Sequence, residues 1–298
     1  MAPEQGRQSV KTTRLPVWVS ASLVVGAFGL LLWGEYRRPL RRSVEPKLRR
    51  IARNLAVAAV SAAALQIVER PVTVPLTALV ERHRWGVLPR LNLPAWVEVS
   101  LAVILLDYTL YVWHVLTHRL AWLWRFHLVH HVDLDLDAST ALRFHFGELV
   151  VSVAWRAGQV LLIGVSPLSL SVWQTALLVS ILFHHSNVRL PIGAERWMCR
   201  LVVTPRLHGI HHSLVREETD SNWSSGLALW DWLHGTLRLN VPQEAITIGV
   251  PAYREPGEVT LAKLLALPFG RERPTWQLPG GGRPARTPLP LRPDPLLA

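Results

Sequence analysis

Residues 15–34, LPVWVSASLVVGAFGLLLWG, carry no charged side chain and are long enough to cross a hydrocarbon core about 30 Å thick. Further apolar blocks follow at residues 54–80, about 95–118, 149–165 and 167–183. The block at 54–80 is interrupted by Glu69-Arg70-Pro71, so it either tilts or continues past Pro71 as a second, kinked piece. The last two blocks meet at Gly164-Val165-Ser166-Pro167, which reads as a tight helical hairpin turn. The outbound member holds Trp155, Arg156 and Gln159, polar groups that should face protein or an interface. The expected fold is all-α: an integral-membrane bundle of about four to five spanning or hairpin helices, with a histidine-rich helical cap.

Charge placement suggests which side the cap is on. The net charge is +11, and eight Lys or Arg against one acid lie between residues 37 and 53, beside the first two apolar blocks. A basic loop flanking membrane spans is a positive-inside signal, and no nucleic-acid-binding motif accompanies it. Placing this loop in the cytoplasm and alternating along the chain brings every histidine cluster out on the cytoplasmic side. The loop at 81–94 then lies outside, although it holds Arg82, Arg84 and Arg90. Fourteen tryptophans suit a membrane protein, whose interfaces favour them. A single cysteine, Cys199, excludes an intramolecular disulfide and any multi-cysteine metal site. The expected organisation is a polar tail at 1–14, membrane helices with the basic loop at 15–94, and a catalytic domain at 95–240. A C-terminal segment at 241–269 and a disordered Pro/Gly/Arg-rich tail at 270–298 complete it.

Thirteen histidines are present, and most fall into spaced groups. His114 and His118 stand four apart, so a helix places both on one face. His127, His130 and His131 follow as H-x-x-H-H, and His208, His211 and His212 repeat that pattern. Each triplet can aim its rings at one point from a single helical face. Eight imidazoles brought together without a metal would be crowded polar rings lacking partners, and would repel when protonated. A first-row transition metal resolves both problems, and eight nitrogens suit two ions better than one. His185 is the ninth candidate ligand. His145 and His184 are candidates for the metal or its surroundings, and Asp107, Asn187, Asn222 and Asp231 could orient imidazoles through their second ring nitrogen. Neither a Glu-x-x-His motif nor H-E-x-x-H occurs, so this is not a carboxylate-type di-iron bundle or a zincin.

H-x-x-x-H, H-x-x-H-H and a distal H-x-x-H-H within a chain of membrane helices resemble the fatty acid hydroxylase/sterol desaturase superfamily. DYTLYVWHVLTHRLAWLWRFHLVHH, TALRFHFGE, FHHSNVRLP, TPRLHGIHHS and SNWSSGLALWDWLHGTLR are similar to its segments, in the same order, over roughly residues 95–240. Val115 after His114, His184 before His185 and Leu233-His234-Gly235-Thr236-Leu237 depart from the family's usual residues without removing a box histidine. The resemblance implies a cytoplasm-facing centre of two Fe ions that uses O2 to hydroxylate or desaturate a C–H bond of a bilayer lipid, a fatty acyl chain or a sterol-like molecule. No flavin, haem or ferredoxin motif is visible, so electrons would come from a separate donor: a ferredoxin, a cytochrome b5-like protein or a reductase. The competing expectations are a histidine-lined membrane metal transporter and a membrane zinc hydrolase. Transport is disfavoured because His127–His131 and His208–His212 lie outside the apolar blocks.

Overall fold

The computed structural model describes residues 14–286. The expected tail at 1–14 therefore lies outside the described residues except for Arg14, as does the expected tail beyond residue 286. Among the described residues the fold is all-helical; its extended pairings are three isolated bridges, such as Pro39 with Val188. Five helices are long and apolar enough to cross a membrane.

The first, α1 (Val17–Arg37), packs along the last. The interrupted block is one continuous rod. α2 (Lys47–Ala64) passes through a π turn at Leu65–Glu69 into α3 (Arg70–His83). Pro71 has no N–H and its ring crowds the carbonyl four residues earlier; the widened turn immediately before it absorbs that clash without ending the helix. α4 (Ala95–Arg119) has 25 residues, a rise of about 37 Å. Leu120, in extended conformation, breaks it from α5 (Ala121–His131). α6 (Phe146–Gln159) closes in a second π turn, and Gly164, at φ +82°, makes the corner where any Cβ would collide with Pro89 and the Trp85 carbonyl. α7 (Pro167–His185) starts with Ser166 accepting from the Ser169 N–H at 3.1 Å and with Pro167 in its first turn, where a missing N–H costs nothing. The hairpin expected at 164–167 is present. Arg156 reaches Gln159 at 2.6 Å and lies 4.2 Å over the Trp173 ring, so this polar group does face protein.

Two apolar cores follow. One, within the bundle, joins Val80, Ala102, Leu106, Val160, Leu170 and Trp173. The other, in the cap, joins Val57, Leu128, Val129, Val132, Val250, Tyr253 and Leu264. The cap adds α8 (Ile192–Met198), α9 (Pro205–His211) and several shorter helices.

The basic segment at 37–53 is not simply a solvated loop. Arg50 is 1% exposed and meets Asp133 at 3.1 Å and also Asp137; Arg53 forms paired contacts with Glu45 at 2.7 and 3.0 Å and meets Asp133 at 3.3 Å. Asp135 accepts the N–H groups of Val44 and Glu45, both at 2.8 Å. Glu35 accepts from Ala138 and Asn187 and pairs with Lys47 at 2.7 Å. The segment Asp133-Leu134-Asp135-Leu136-Asp137, with the adjoining Ala138, thus ties the ends of α1 and α2 to the histidine-bearing α5. Arg37, Arg38, Arg42 and Arg49 remain exposed.

Residues 270–286, expected to be disordered, instead run over the cap. Trp276 stacks on Trp124 at 5.7 Å, and Arg286 pairs with Glu218 at 2.6 Å. Composition gave no warning of this: anchoring rests on one indole and a few guanidiniums, not on a core of the segment's own.

Candidate metal centre

α4, α5 and α7 all end at one place, beside α9, and the partial negative charge of helix C-termini there favours a cation. His114, His118, His127, His131 and His211 form one group and His130, His185, His208 and His212 a second. In each group, one nitrogen per ring lies within 4.8 Å of all the others. These are all nine histidines singled out as ligands from the sequence. The groups adjoin: the rings of His131 and His212 stack at 4.3 Å.

Each H-x-x-H-H does not aim at one point, as the spacing had suggested, but is split between the groups. His127 and His131 enter the first while His130 enters the second; His208 and His212 enter the second while His211 enters the first. Helical geometry explains the division. Residues four apart lie about 40° from one another around the axis, whereas adjacent residues lie about 100° apart. The i,i+4 pairs therefore stay together and the remaining ring crosses to the neighbouring group.

The outer nitrogen of four rings is fixed. The Nδ1–H of His114 donates to the Trp223 carbonyl at 2.6 Å, that of His211 to Ser221 at 2.9 Å and that of His185 to Ile181 at 2.7 Å. His127 Nδ1 meets a Glu148 carboxylate oxygen at 3.0 Å. Each contact sets the tautomer and leaves an Nε2 lone pair facing inward, as metal-bound imidazoles require. Phe144 stacks on His130 at 4.5 Å and fixes that ring's plane.

The inward nitrogens do not satisfy one another. The Nε2 atoms of His118, His127, His131 and His211 are buried without a hydrogen-bond partner. In the second group, His185 Nε2 lies 3.0 Å from both His130 Nε2 and His208 Nε2, and His208 Nε2 lies 3.1 Å from His212 Nε2. If His130 and His208 carried their protons on Nε2, both would compete for one His185 lone pair, and their buried Nδ1 atoms, already partnerless, would stay so. A cation removes the conflict. Two nitrogens at right angles around an ion, each about 2.1 Å from it, are about 3.0 Å apart. Burial holds the rings neutral: desolvation, reinforced by neighbouring imidazoles, pushes His130, His131, His208 and His212 well below the usual histidine range. It lowers His211 to about 3. The donor set thus fits two first-row transition metal ions.

The remaining candidates are placed elsewhere. His145 caps α6: its Nδ1 accepts from the Gly147 N–H at 2.9 Å and its Nε2–H donates to the Leu265 carbonyl at 3.2 Å, so neither nitrogen is free. His184 packs against His208 at 4.1 Å but belongs to neither group. The four polar residues expected to hold imidazoles hold backbone instead. Asp107 accepts from the Leu227 N–H at 3.0 Å and the Trp230 indole at 2.7 Å. Asp231 accepts the N–H groups of Trp223 and Ser224 at 2.8 and 2.9 Å. Asn222, at φ +52°, bridges Leu207 and Arg238, and Asn187 bonds both backbone groups of Arg41. Asp231 still serves the site at one remove, because it fixes the Trp223 carbonyl that orients His114. Glu148, the one carboxylate bonded directly to a clustered ring among the described residues, was missed. Its signal was an acid 21 positions after His127 in a segment otherwise valued only for resemblance.

Residues 99–236 match the model of the fatty acid hydroxylase family. Over this stretch, a little under half of the chain, the sequence is similar to that family. The chain is 35% identical over 183 residues to ornithine lipid hydroxylase OlsE of Rhizobium tropici, covering 60% of this chain and 52% of that protein. It is 27% identical over 144 residues to human cholesterol 25-hydroxylase, covering 47% and 51% of the two chains. With human alkylglycerol monooxygenase the figures are 30% over 157 residues, 49% and 32%. The chain thus spans about half the length, or less, of these curated relatives. No solved structure matches it.

Proposed function

We propose that this protein is a membrane-bound di-iron oxygenase that hydroxylates a C–H bond of a lipid, with O2 as co-substrate and electrons from a separate donor. The observation that carries the reading is the pair of adjoining, buried, neutral imidazole groups of five and four, at the end of a membrane bundle. The named activities of the three relatives, acting on an ornithine lipid, on cholesterol and on alkylglycerols, support a lipid substrate. Iron, when bound, would supply the oxidising power that an unactivated C–H bond needs and that a positioned acid or base cannot provide. The ligands would be His114, His118, His127, His131 and His211 at one ion and His130, His185, His208 and His212 at the other.

The chain's own contribution is positional. The carbonyls of Trp223, Ser221 and Ile181 and the Glu148 carboxylate hold inward lone pairs ready, so binding costs little reorganisation. Glu148, facing His127 Nδ1 at 3.0 Å, holds that ring's orientation. Burial excludes water from eight of the nine rings. The exposed Arg37, Arg38, Arg42 and Arg49 support a cytoplasmic cap, and a domain at 95–240 is supported by the family match over 99–236.

The test is metal analysis of purified protein together with lipid mass spectrometry under 18O2. Two irons per chain and a lipid heavier by one 18O atom, absent in His130→Ala, are expected. Zinc alone, with no oxygen incorporated, would favour a hydrolase; uptake of metal into vesicles would favour a transporter.

A further inference from the structure

The centre approaches the surface at one histidine. His118 is the partly exposed member of the nine; the other eight are buried. A cavity of about 310 Å³ opens on it, bounded by α5 and the 271–276 segment. Its walls are unsuited to an alkyl chain. Arg119, Arg125, Arg216, Arg271 and Arg273 line it against two acids, Asp220 and Glu272. Across it runs a line of touching π systems. Trp276 stacks on Trp124 at 5.7 Å with 22° between planes, and Trp124 lies 4.7 Å from His118 and 5.4 Å from His131. The Trp124 indole N–H is buried without a partner, so no hydrogen bond accounts for its position there. Arg216 lies 6.0 Å over the outer indole, Trp276.

We infer that this arginine-rimmed surface is the docking site of an acidic one-electron carrier protein, and that Trp276 and Trp124 form its electrical contact with the metal centre through His118. The inference rests on the oxygenase reading above, which needs electrons from outside the chain. Charge complementarity selects the partner: even with Glu258, paired to Arg273 at 2.5 Å, counted among the acids, an excess of two arginines around an aromatic contact attracts an anionic surface, steers the encounter and weakens with salt. Each encounter oxidises the carrier by one electron and reduces the centre by one. Two encounters and two protons balance the reaction, in which one atom of O2 leaves as water and the other enters the C–H bond.

The experiment uses the full chain in lipid nanodiscs, loaded with iron, and a plant-type [2Fe–2S] ferredoxin as the acidic probe. The double variant Arg216→Glu/Arg271→Glu should weaken ferredoxin binding about tenfold or more at low ionic strength, with the difference fading as salt screens the charges. Trp276→Leu should leave that affinity within about twofold, yet slow ferredoxin-driven reduction of the centre about tenfold. Reduction by dithionite and iron content should be unchanged in both variants, which also shows that they fold. Charge reversal without effect on binding or its salt slope would overturn the inference, as would reduction of Trp276→Leu at the parent rate. So would loss, in the charge-reversed protein, of binding to phosphatidylglycerol vesicles with ferredoxin binding intact, because the arginines would then serve lipid. A failed oxygenase reading looks different: no oxygenated lipid forms even with dithionite.

Discussion

Replacing Asp133 with Asn should strongly destabilise the protein although Asp133 touches no clustered histidine. Its carboxylate is fully buried and meets Arg50 at 3.1 Å, Arg53 at 3.3 Å and Arg143 at 3.0 Å. It also accepts from Asn54 and Thr140, each at 3.0 Å. Although burial opposes ionisation, Arg143, Arg50 and Arg53 together pull this carboxyl down to about 2 from its ordinary 3.8. That difference corresponds to roughly 2 kcal/mol. The sign follows from the depressed value: the stabilisation is present above pH 3.8 and is lost as pH falls through 2. Substitution costs more than protonation would, because Arg143, itself 0% exposed, is left without its charge partner. Stranding a buried cation costs about 3–5 kcal/mol, which lowers the melting temperature on the order of 10 °C. Thermal unfolding in detergent, followed by tryptophan fluorescence, reads this directly. Asp133→Asn/Arg143→Met, which removes both charges, should recover more than half of the loss. A drop below about 2 °C for the single variant, or a double variant worse than the single, would refute the electrostatic account.

Three further outcomes follow from the site. Glu148→Gln keeps the shape but not the charge opposite His127 and should weaken metal binding about 10- to 100-fold, read by competition with a chromogenic chelator. Asp231→Ala should release the Trp223 carbonyl from its place over His114 and lower metal occupancy while leaving the bundle helical by circular dichroism; unchanged occupancy would show that Trp223 is held without it. The metal-free protein should lose stability in acid. His211 titrates at about 3 when folded but near 6.5 when unfolded, so it has no effect above pH 6.5 and favours the unfolded chain increasingly below it. At pH 5.5 this ring alone costs on the order of 1 kcal/mol, visible in denaturant midpoints at pH 7.5 and 5.5.

The spans and eight of the nine clustered histidines were legible because both announce themselves by period: uninterrupted apolar length in one case, i,i+4 and i,i+3,i+4 spacing in the other; the ninth, His185, was marked only by its place at the end of the returning helix. Even the π turn before Pro71 was foreshadowed by the Glu69-Arg70-Pro71 interruption. What sequence could not show was which ring joins which group, because that depends on where neighbouring helices lie around the α5 and α9 axes. Polar partners were harder still. Asp107, Asn187, Asn222 and Asp231 looked suited to imidazoles by type and nearness in sequence, yet each is claimed by backbone groups of an irregular segment. The real partners of His114, His211 and His185 are carbonyls, and every residue has one. The basic stretch misled in the same way: Arg50 and Arg53 count as positive-inside charges on paper, but their shared partner Asp133 lies 80 or more positions away.

These misreadings share a cause that bears on how the centre is built. Helices deliver the rings, but α5 and α9 are too short to hold them at the required angles alone; α9 has seven residues. Their orientation comes from irregular backbone, chiefly Ser221 to Ser224, and that backbone needs anchors of its own. Asp231 holds the N–H groups at 223 and 224, Asn222 holds the turn at positive φ, and Asp107 holds 227 and 230 from the wall of a membrane helix. The acidic run 133–137 does the same for the far end of α5 by gripping α1 and α2. Carboxylates are thus spent one shell further out than in carboxylate-bridged di-iron bundles, where they bind the ions directly. A set of neutral nitrogens would leave the positive charge of bound ions uncompensated, and here the C-termini of three helices and the Glu148 carboxylate would offset it. Neutralising Glu148 should therefore disturb the centre's redox potential as well as its affinity, whereas Asp107→Asn, remote from the ions, should alter geometry and occupancy but leave the potential of the loaded fraction unchanged.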